Sequence, residues 1–279
     1  MEPDDYRRQS LETWEAMSSG WERWRAEIEE TSTPVREWLL RELAPQPGDT
    51  VLELAAGPGD TGFAAAALVG EQGRLISTDV SPAMVEVGRR RAAGLGLRNV
   101  EHRAMDAERI ELPDDSVDGV LCRCGYMLMP DPAAALAETR RVLRPGGRLA
   151  LAVWRGAQQN PWISLTGRIL VERGLFPRPE PGQPGIFALA SEERLLSLLA
   201  GAGFTVERAE DVPVHFVYRD LDDYVARAHD TGGGFAKVWR EAPEDERVAI
   251  KAQLAEAFAP YAVDGGYVLP GVALCAVST

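Results

Sequence analysis

A chain of 279 residues, 45% hydrophobic and 26% charged, has ordinary globular composition and enough length to bury a full sheet between layers of helices, so it needs no disulfide or metal staple. A formal net charge of −13 argues against a nucleic-acid partner held by a basic patch and against binding to anionic lipid. The three cysteines, Cys122, Cys124 and Cys275, lack zinc-ligand spacing and read as reduced thiols in or beside buried strands.

Met1 to Asp5 is acidic and no apolar run follows, so no signal peptide is expected and the chain reads as cytoplasmic. Leu11, Trp14 and Met17, then Trp21, Trp24 and Ile28, recur at helical spacing. Thr33-Pro34 reads as the start of a second helix through Val35, Trp38, Leu39 and Leu43, ended by Pro45 and Pro47-Gly48. From Asp49 strand-length apolar runs alternate with helical segments. Strands are expected at Val51–Ala55, Leu75–Asp79, Val100–Met105, Val117–Cys124 and Arg148–Trp154. Helices are expected at Thr61–Val69, Ser81–Ala93 and Asp131–Leu143. That order predicts right-handed βαβ units, hence a doubly wound α/β domain whose parallel sheet is covered on both faces. Further on, Pro177–Gly185 reads as a loop and Ser191–Ala202 as a capped helix. Phe204–Val212 and Val214–Tyr218 read as two strands, and Leu221–His229 and Glu244–Phe258 as helices around a flexible Thr231–Gly234. Val272–Val277 closes the chain as a strand. The longest uncharged stretch, Gly265–Thr279, falls short of the roughly 20 residues of a membrane span.

The sharpest local feature is Val51-Leu-Glu-Leu-Ala-Ala-Gly-Pro-Gly-Asp-Thr-Gly62, a strand running into a glycine-rich turn and a helix. Ligands of open α/β sheets sit beyond the carboxyl ends of such strands, and Gly57 and Gly59 let backbone approach them closely. Gly57, Gly59 and Gly62 also spell a nicotinamide fingerprint, with Asp79 at the end of the next strand. Against that stands Glu53, whose charge repels a pyrophosphate and attracts an ammonium or sulfonium. The alternative for Glu53 is that it only ties down the loop by accepting backbone N–H bonds. Asp79 and Asp106 end the second and third strands. One suits ribose hydroxyls and the other an adenine amino group, with Val80 and Met84 as apolar walls.

With these residues the sequence resembles the class I S-adenosylmethionine-dependent methyltransferases, in particular the branch of quinone-biosynthesis C-methyltransferases and natural-product methyltransferases. The resemblance rests on Val51–Gly59, Leu75–Met84, Met105-Asp106-Ala107, Val117–Asp131 and, most specifically, Arg141–Leu151. It implies a Rossmann-like, seven-stranded, mostly parallel sheet with the last strand antiparallel. It also implies cofactor contacts from Glu53, Ala55, Gly57, Asp79, Met84, Asp106, Ala107 and the backbone around Cys122. Ala56, Gly59, Val80 and Arg123 complete the candidate set. Ala55 departs from the family, which usually has glycine there, and a slightly displaced methionyl group is expected. Residues 1–45 are expected to form a helical lid on a methyltransferase domain spanning 46–279, with lid insertions near 155–190 and 213–264.

Methyl transfer from a sulfonium demands chiefly proximity and orientation. An O- or N-nucleophile can also need a base, for which His215, His229 and Tyr126 are candidates. His102, inside a strand, reads as packed. Trp14, Trp21 and Tyr126 are candidate substrate contacts, with Trp24 on the same stripe, though such a stripe is also what an ordinary helix core looks like. No metal site is expected. The acceptor is expected to be a small molecule, a quinol, phenol, amine or natural-product-like compound. Two alternatives stay open: the same cofactor used for a cyclisation or rearrangement, and an NAD-dependent oxidoreductase. Oligomeric state is not encoded legibly.

Overall fold

The computed structural model describes residues 3–178, 180 and 182–279. The readings placed on Met1 and Glu2, and on Pro179 and Pro181 in the proline-rich loop, lie outside them.

Two long helices, α1 (Pro3–Arg23) and α2 (Arg25–Leu43), precede the sheet and are separated by a single residue, Trp24. The break is slight, because the helical hydrogen-bond ladder continues from Trp24 N–H to Gly20 and from Ile28 N–H to Trp24. The expected helix start at Thr33-Pro34 is therefore wrong. Pro34 lies inside α2, where the Thr33 hydroxyl donates back to the Glu29 carbonyl. A proline start signal was overridden by continuous packing of Val35, Trp38 and Leu39 against the sheet.

The alternating segments follow as β1 (Thr50–Glu53), α3 (Asp60–Val69), β2 (Arg74–Asp79), α4 (Pro82–Gly94), β3 (Val100–Ala104), β4 (Val117–Arg123), α5 (Pro132–Val142) and β5 (Leu143–Trp154). Caps set the helix starts: Ser81 Oγ accepts from Met84 N–H and Asp131 Oδ1 from Ala134 N–H, each followed by a proline at the first helical position. After β5 come α6 (Pro161–Glu172), α7 (Glu192–Gly201), β6 (Val206–Tyr218), α8 (Leu221–Thr231), α9 (Gly233–Glu241), α10 (Glu244–Phe258), β7 (Ala262–Val263) and β8 (Gly266–Ser278).

The strand order is β3-β2-β1-β4-β5-β8-β6, with the two-residue β7 pairing β8. Neighbours from β3 to β5 are parallel, and β8 runs antiparallel to both β5 and β6. The chain builds outward from β1 to β3, then returns to β1's other side with β4, so the topological switch falls between β1 and β4. Alternating side chains feed two cores. Leu52, Leu54, Ile76, Val120 and Leu149 meet α5 and α7 on one face, and Val51, Leu75, Leu121 and Ala150 meet α2 and α3 on the other.

Beyond residue 154 the structure departs from expectation in several places. The two strands expected at 204–218 are one, with Pro213 in its middle. It is tolerated because β6 is the sheet's edge strand, where a missing N–H need leave no ladder bond unmade. The closing strand begins at Gly266, so β6 and β8 run on as a two-stranded ribbon past the last β5 pair, Trp154 with Ala273. Thr231–Gly234 is the junction of α8 and α9, not a flexible loop. The ribbon, α6 and α8–α10 enclose a third core of Ile169, Tyr218, Tyr224, Phe235, Ile250, Leu254 and Phe258.

Candidate active site

At the switch point the chain leaves the sheet after Glu53 and turns through three left-handed residues, Ala55 (φ 51°), Gly57 (φ 53°) and Gly59 (φ 92°). A Cβ on Gly59 would lie 2.6 Å from the Phe63 ring, so glycine is required there by both conformation and space. Ala55 pays about 1 kcal/mol for its conformation. The neighbouring chain makes room for its methyl: a Cβ at Gly125, just past β4, would sit 2.7 Å from both the Ala55 methyl and Cys122 Sγ. The loop is tied to β2 by Ala56 N–H donating to the Thr78 carbonyl at 2.9 Å.

Three acids stand at the strand ends, each gripped by backbone amides. Glu53 is 3% exposed, and its Oε1 accepts from Gly62 N–H at 2.8 Å while Ser77 Oγ approaches Oε2 at 3.4 Å. Burial lifts its carboxyl to about 8, against the downward pull of the Gly62 amide and Arg123. It is thus mostly neutral at pH 7 in the free protein, and the structure gives it the loop-tying bond. Asp79 bridges the turn: Oδ2 accepts from Gly57 N–H and Oδ1 from Ser81 N–H, both at 2.9 Å. Burial raises its carboxyl, and the Ser81, Gly57 and Val80 amides oppose that. Val80, the next residue, is an exposed apolar side chain at 41%. Asp106, beyond β3, accepts from Glu108 N–H at 2.9 Å, with half-buried Ala107 between them.

A charged cluster that sequence reasoning missed closes the other side. Arg25, Glu29 and Arg36 fall on one face of α2 at spacings of four and seven, a regularity that could have flagged them. Arg25 pairs with Asp60 at 3.0 Å, and Arg91 of α4 reaches the same carboxylate at 2.6 Å. Arg36 pairs with Glu29 Oε1, and Glu29 Oε2 lies 3.8 Å from Arg123 at the end of β4. Burial raises the Glu29 carboxyl and Arg123 pulls it down. Helix α1 reaches the same edge, with Arg7 paired to Glu108 and the Tyr6 hydroxyl donating to the Leu128 carbonyl at 3.1 Å.

Other candidates lie elsewhere. Tyr126 is wholly buried and its hydroxyl is bonded to Thr139 Oγ1 at 2.7 Å, so it is neither base nor substrate contact. Burial pushes its phenol well above the usual range. Met84 and Cys122 are 1% and 0% exposed, so the Met84 side chain forms no open wall and Cys122 can offer only backbone. His215 is exposed on β6, the edge strand four places from β1. His229 Nδ1 lies 3.1 Å from Asp230 in an open groove of about 690 Å³ that Arg23, Trp24 and Trp239 also line. His102 packs edge-on against Phe63. The tryptophans join helices: Trp14 meets Trp21 edge-to-face at 5.7 Å, Trp21 Nε1 donates to the Thr231 carbonyl at 3.3 Å and Trp24 Nε1 to Asp230 at 2.8 Å. Among the described residues no cluster of His, Cys, Asp or Glu has the makings of a metal site, and no helix is long and apolar enough to cross a membrane.

A glycine turn at the switch point, with amide-held acids ending three successive strands, gives a Rossmann-like sheet a polar candidate site at its carboxyl edge. The methyltransferase-domain family profile matches residues 45–168. Aklanonic acid methyltransferase DauC of Streptomyces sp. (strain C5) is 31% identical over 213 residues, spanning 73% of this chain and 95% of that enzyme. The ubiquinone/menaquinone biosynthesis C-methyltransferase UbiE of Teredinibacter turnerae is 39% identical over 116 residues, 41% of this chain and about half (47%) of that enzyme's length. A solved S-adenosylmethionine-dependent methyltransferase from Aquifex aeolicus superposes with a TM-score of 0.50 at 27% identity, covering 63% of this chain and 83% of that one. The chain belongs to the class I S-adenosylmethionine-dependent methyltransferases, and S-adenosylmethionine is its cofactor.

Proposed function

We propose that the crevice between the strand ends and α2 binds S-adenosylmethionine, and that the enzyme methylates a small organic acceptor admitted beneath α1, α2 and α8–α10, which serve as its lid. The observation that carries this reading is Asp79, whose carboxyl is fixed at the end of β2 by the Gly57 and Ser81 amides. A carboxylate held there suits vicinal ribose hydroxyls. Exposed Val80 offers an apolar bed for adenine, and Asp106 an acceptor for its amino group. The glycine turn carries no side chain at Gly57, where a Cβ would meet no protein atom, to keep a ligand away.

Bound S-adenosylmethionine supplies a methyl group on a sulfonium, a very good leaving group. The chain's own work is then to hold the acceptor in line and keep water out. Tyr126 is sealed in the core, and neither His215 nor His229 joins the strand-end acids. An acceptor that is already nucleophilic, or that loses its proton to solvent, fits this site best. The relative named for aklanonic acid, matched along almost its whole length, supports a small-molecule acceptor.

Incubation with S-adenosylmethionine and a panel of phenols, quinols, carboxylic acids and amines tests the reading by mass spectrometry. The expected product is one CH2 heavier than its acceptor and appears in step with S-adenosylhomocysteine. A product of unchanged mass, formed with the cofactor intact, would replace transfer by rearrangement.

A further inference from the structure

The crevice has a wall that neither the strands nor the glycine turn supply. Glu29 hangs from α2 with Oε1 taken by Arg36, while Oε2 is buried and has no hydrogen-bond partner among the described residues. Leaving a buried carboxylate oxygen without a donor is unfavourable, so such an atom is a place for a ligand's N–H. We propose that Glu29 receives the ammonium of the methionyl end of S-adenosylmethionine while Arg123 beside it faces the carboxylate, a deepening that rests on reading the crevice as the cofactor site.

Three observations converge on this end of the crevice. Arg36, Glu29 and Arg123 alternate in sign, which suits a zwitterion better than a single charge. Both Glu29 and Glu53 feel Arg123 and Asp60, so the cluster bridges the gap between α2 and the glycine turn. Distance agrees as well. Asp106 follows β3 and Arg123 ends β4, three strand spacings away, or about 14 Å. That is the span of an extended ligand with adenine at one end and an amino acid at the other. Because Glu29 belongs to the helical cover, the ligand's amino-acid end would also bind α2 to the strand ends.

The test is calorimetric, using S-adenosylmethionine, S-adenosylhomocysteine and 5′-methylthioadenosine, the last lacking the amino-acid end. Glu29→Gln keeps the shape and removes the charge. It should weaken the first two ligands roughly tenfold or more and leave 5′-methylthioadenosine unchanged, which also shows that the variant is folded. Asp79→Ala should weaken all three. Unchanged S-adenosylhomocysteine affinity in Glu29→Gln would overturn the proposal while leaving the crevice reading intact. So would equal weakening of all three ligands, because Glu29 would then be only a structural prop. If the wild type binds none of them, the crevice reading itself fails.

Discussion

The floor of the crevice and its helical cover are built by different means. On the floor, carboxylates are held by backbone amides: Gly62 grips Glu53, Gly57 and Ser81 grip Asp79, and Glu108 grips Asp106. In the cover, side chains more than 200 residues apart hold α1 to α8, through Trp24 and Arg23 on Asp230 and Trp21 on the Thr231 carbonyl. The cover also has a core of its own, beneath the ribbon and α8–α10. Backbone-held acids cannot shift without moving the loop, whereas half-exposed pairs contribute only about 0–1 kcal/mol each. Under the lid proposal, the floor is expected to be the rigid part and the cover the part that responds to ligand.

That contrast can be broken experimentally. The largest effect on packing should come from Gly62→Ala, whose Cβ would lie 2.1 Å from Glu53 Oε2 and 2.9 Å from Leu75. Overpacking of this kind is expected to cost about 3 kcal/mol in urea unfolding. A loss well below 1 kcal/mol would show that the floor yields after all. Asp230→Ala strands the Trp24 N–H and frees Arg23, at a cost of about 1–2 kcal/mol. Hydrogen exchange should quicken in residues 13–24 and 221–231 and stay slow in the glycine turn. Equal quickening in both places would make floor and cover a single unit.

A separate effect concerns pH rather than packing. Glu53 is raised from an ordinary 4.5 to about 8 by burial, so between those values the folded state holds a proton that the unfolded state has lost. Stability from this group is fully present below pH 4.5 and drains away as pH rises toward 8. Glu53→Gln should remove that slope, so the wild type should lose more stability than the variant between pH 5 and pH 8 in urea titrations. Parallel losses would show that Glu53 does not titrate there.

Legibility in the sequence follows the same division. Strands β1 to β5, the glycine turn and the acids Glu53, Asp79 and Asp106 could be read because strand-length apolar runs, caps and turn glycines are local signals. Pro34 misled, since a helix-start signal cannot be told from an interior proline without knowing what the helix packs on. Pro213 split a strand on paper that the sheet edge allows to continue. Tyr126 and Met84 were nominated by their nearness to strand ends, and the structure buries both, with the Tyr126 hydroxyl on Thr139. Arg36 and Glu29 left a local trace in their seven-residue spacing on α2, but the ion pair across 94 positions, from Glu29 to Arg123, leaves none, so nothing in the sequence tied them to the site.

The most direct measurement is a crystal structure of the enzyme with S-adenosylhomocysteine. Both ribose hydroxyls should lie within about 3.2 Å of the Asp79 carboxylate, with adenine resting on Val80 and its amino group toward Asp106. A ligand bound in the Arg23–Trp239 groove instead, or a ribose that leaves Asp79 bonded only to its two amides, would contradict the account.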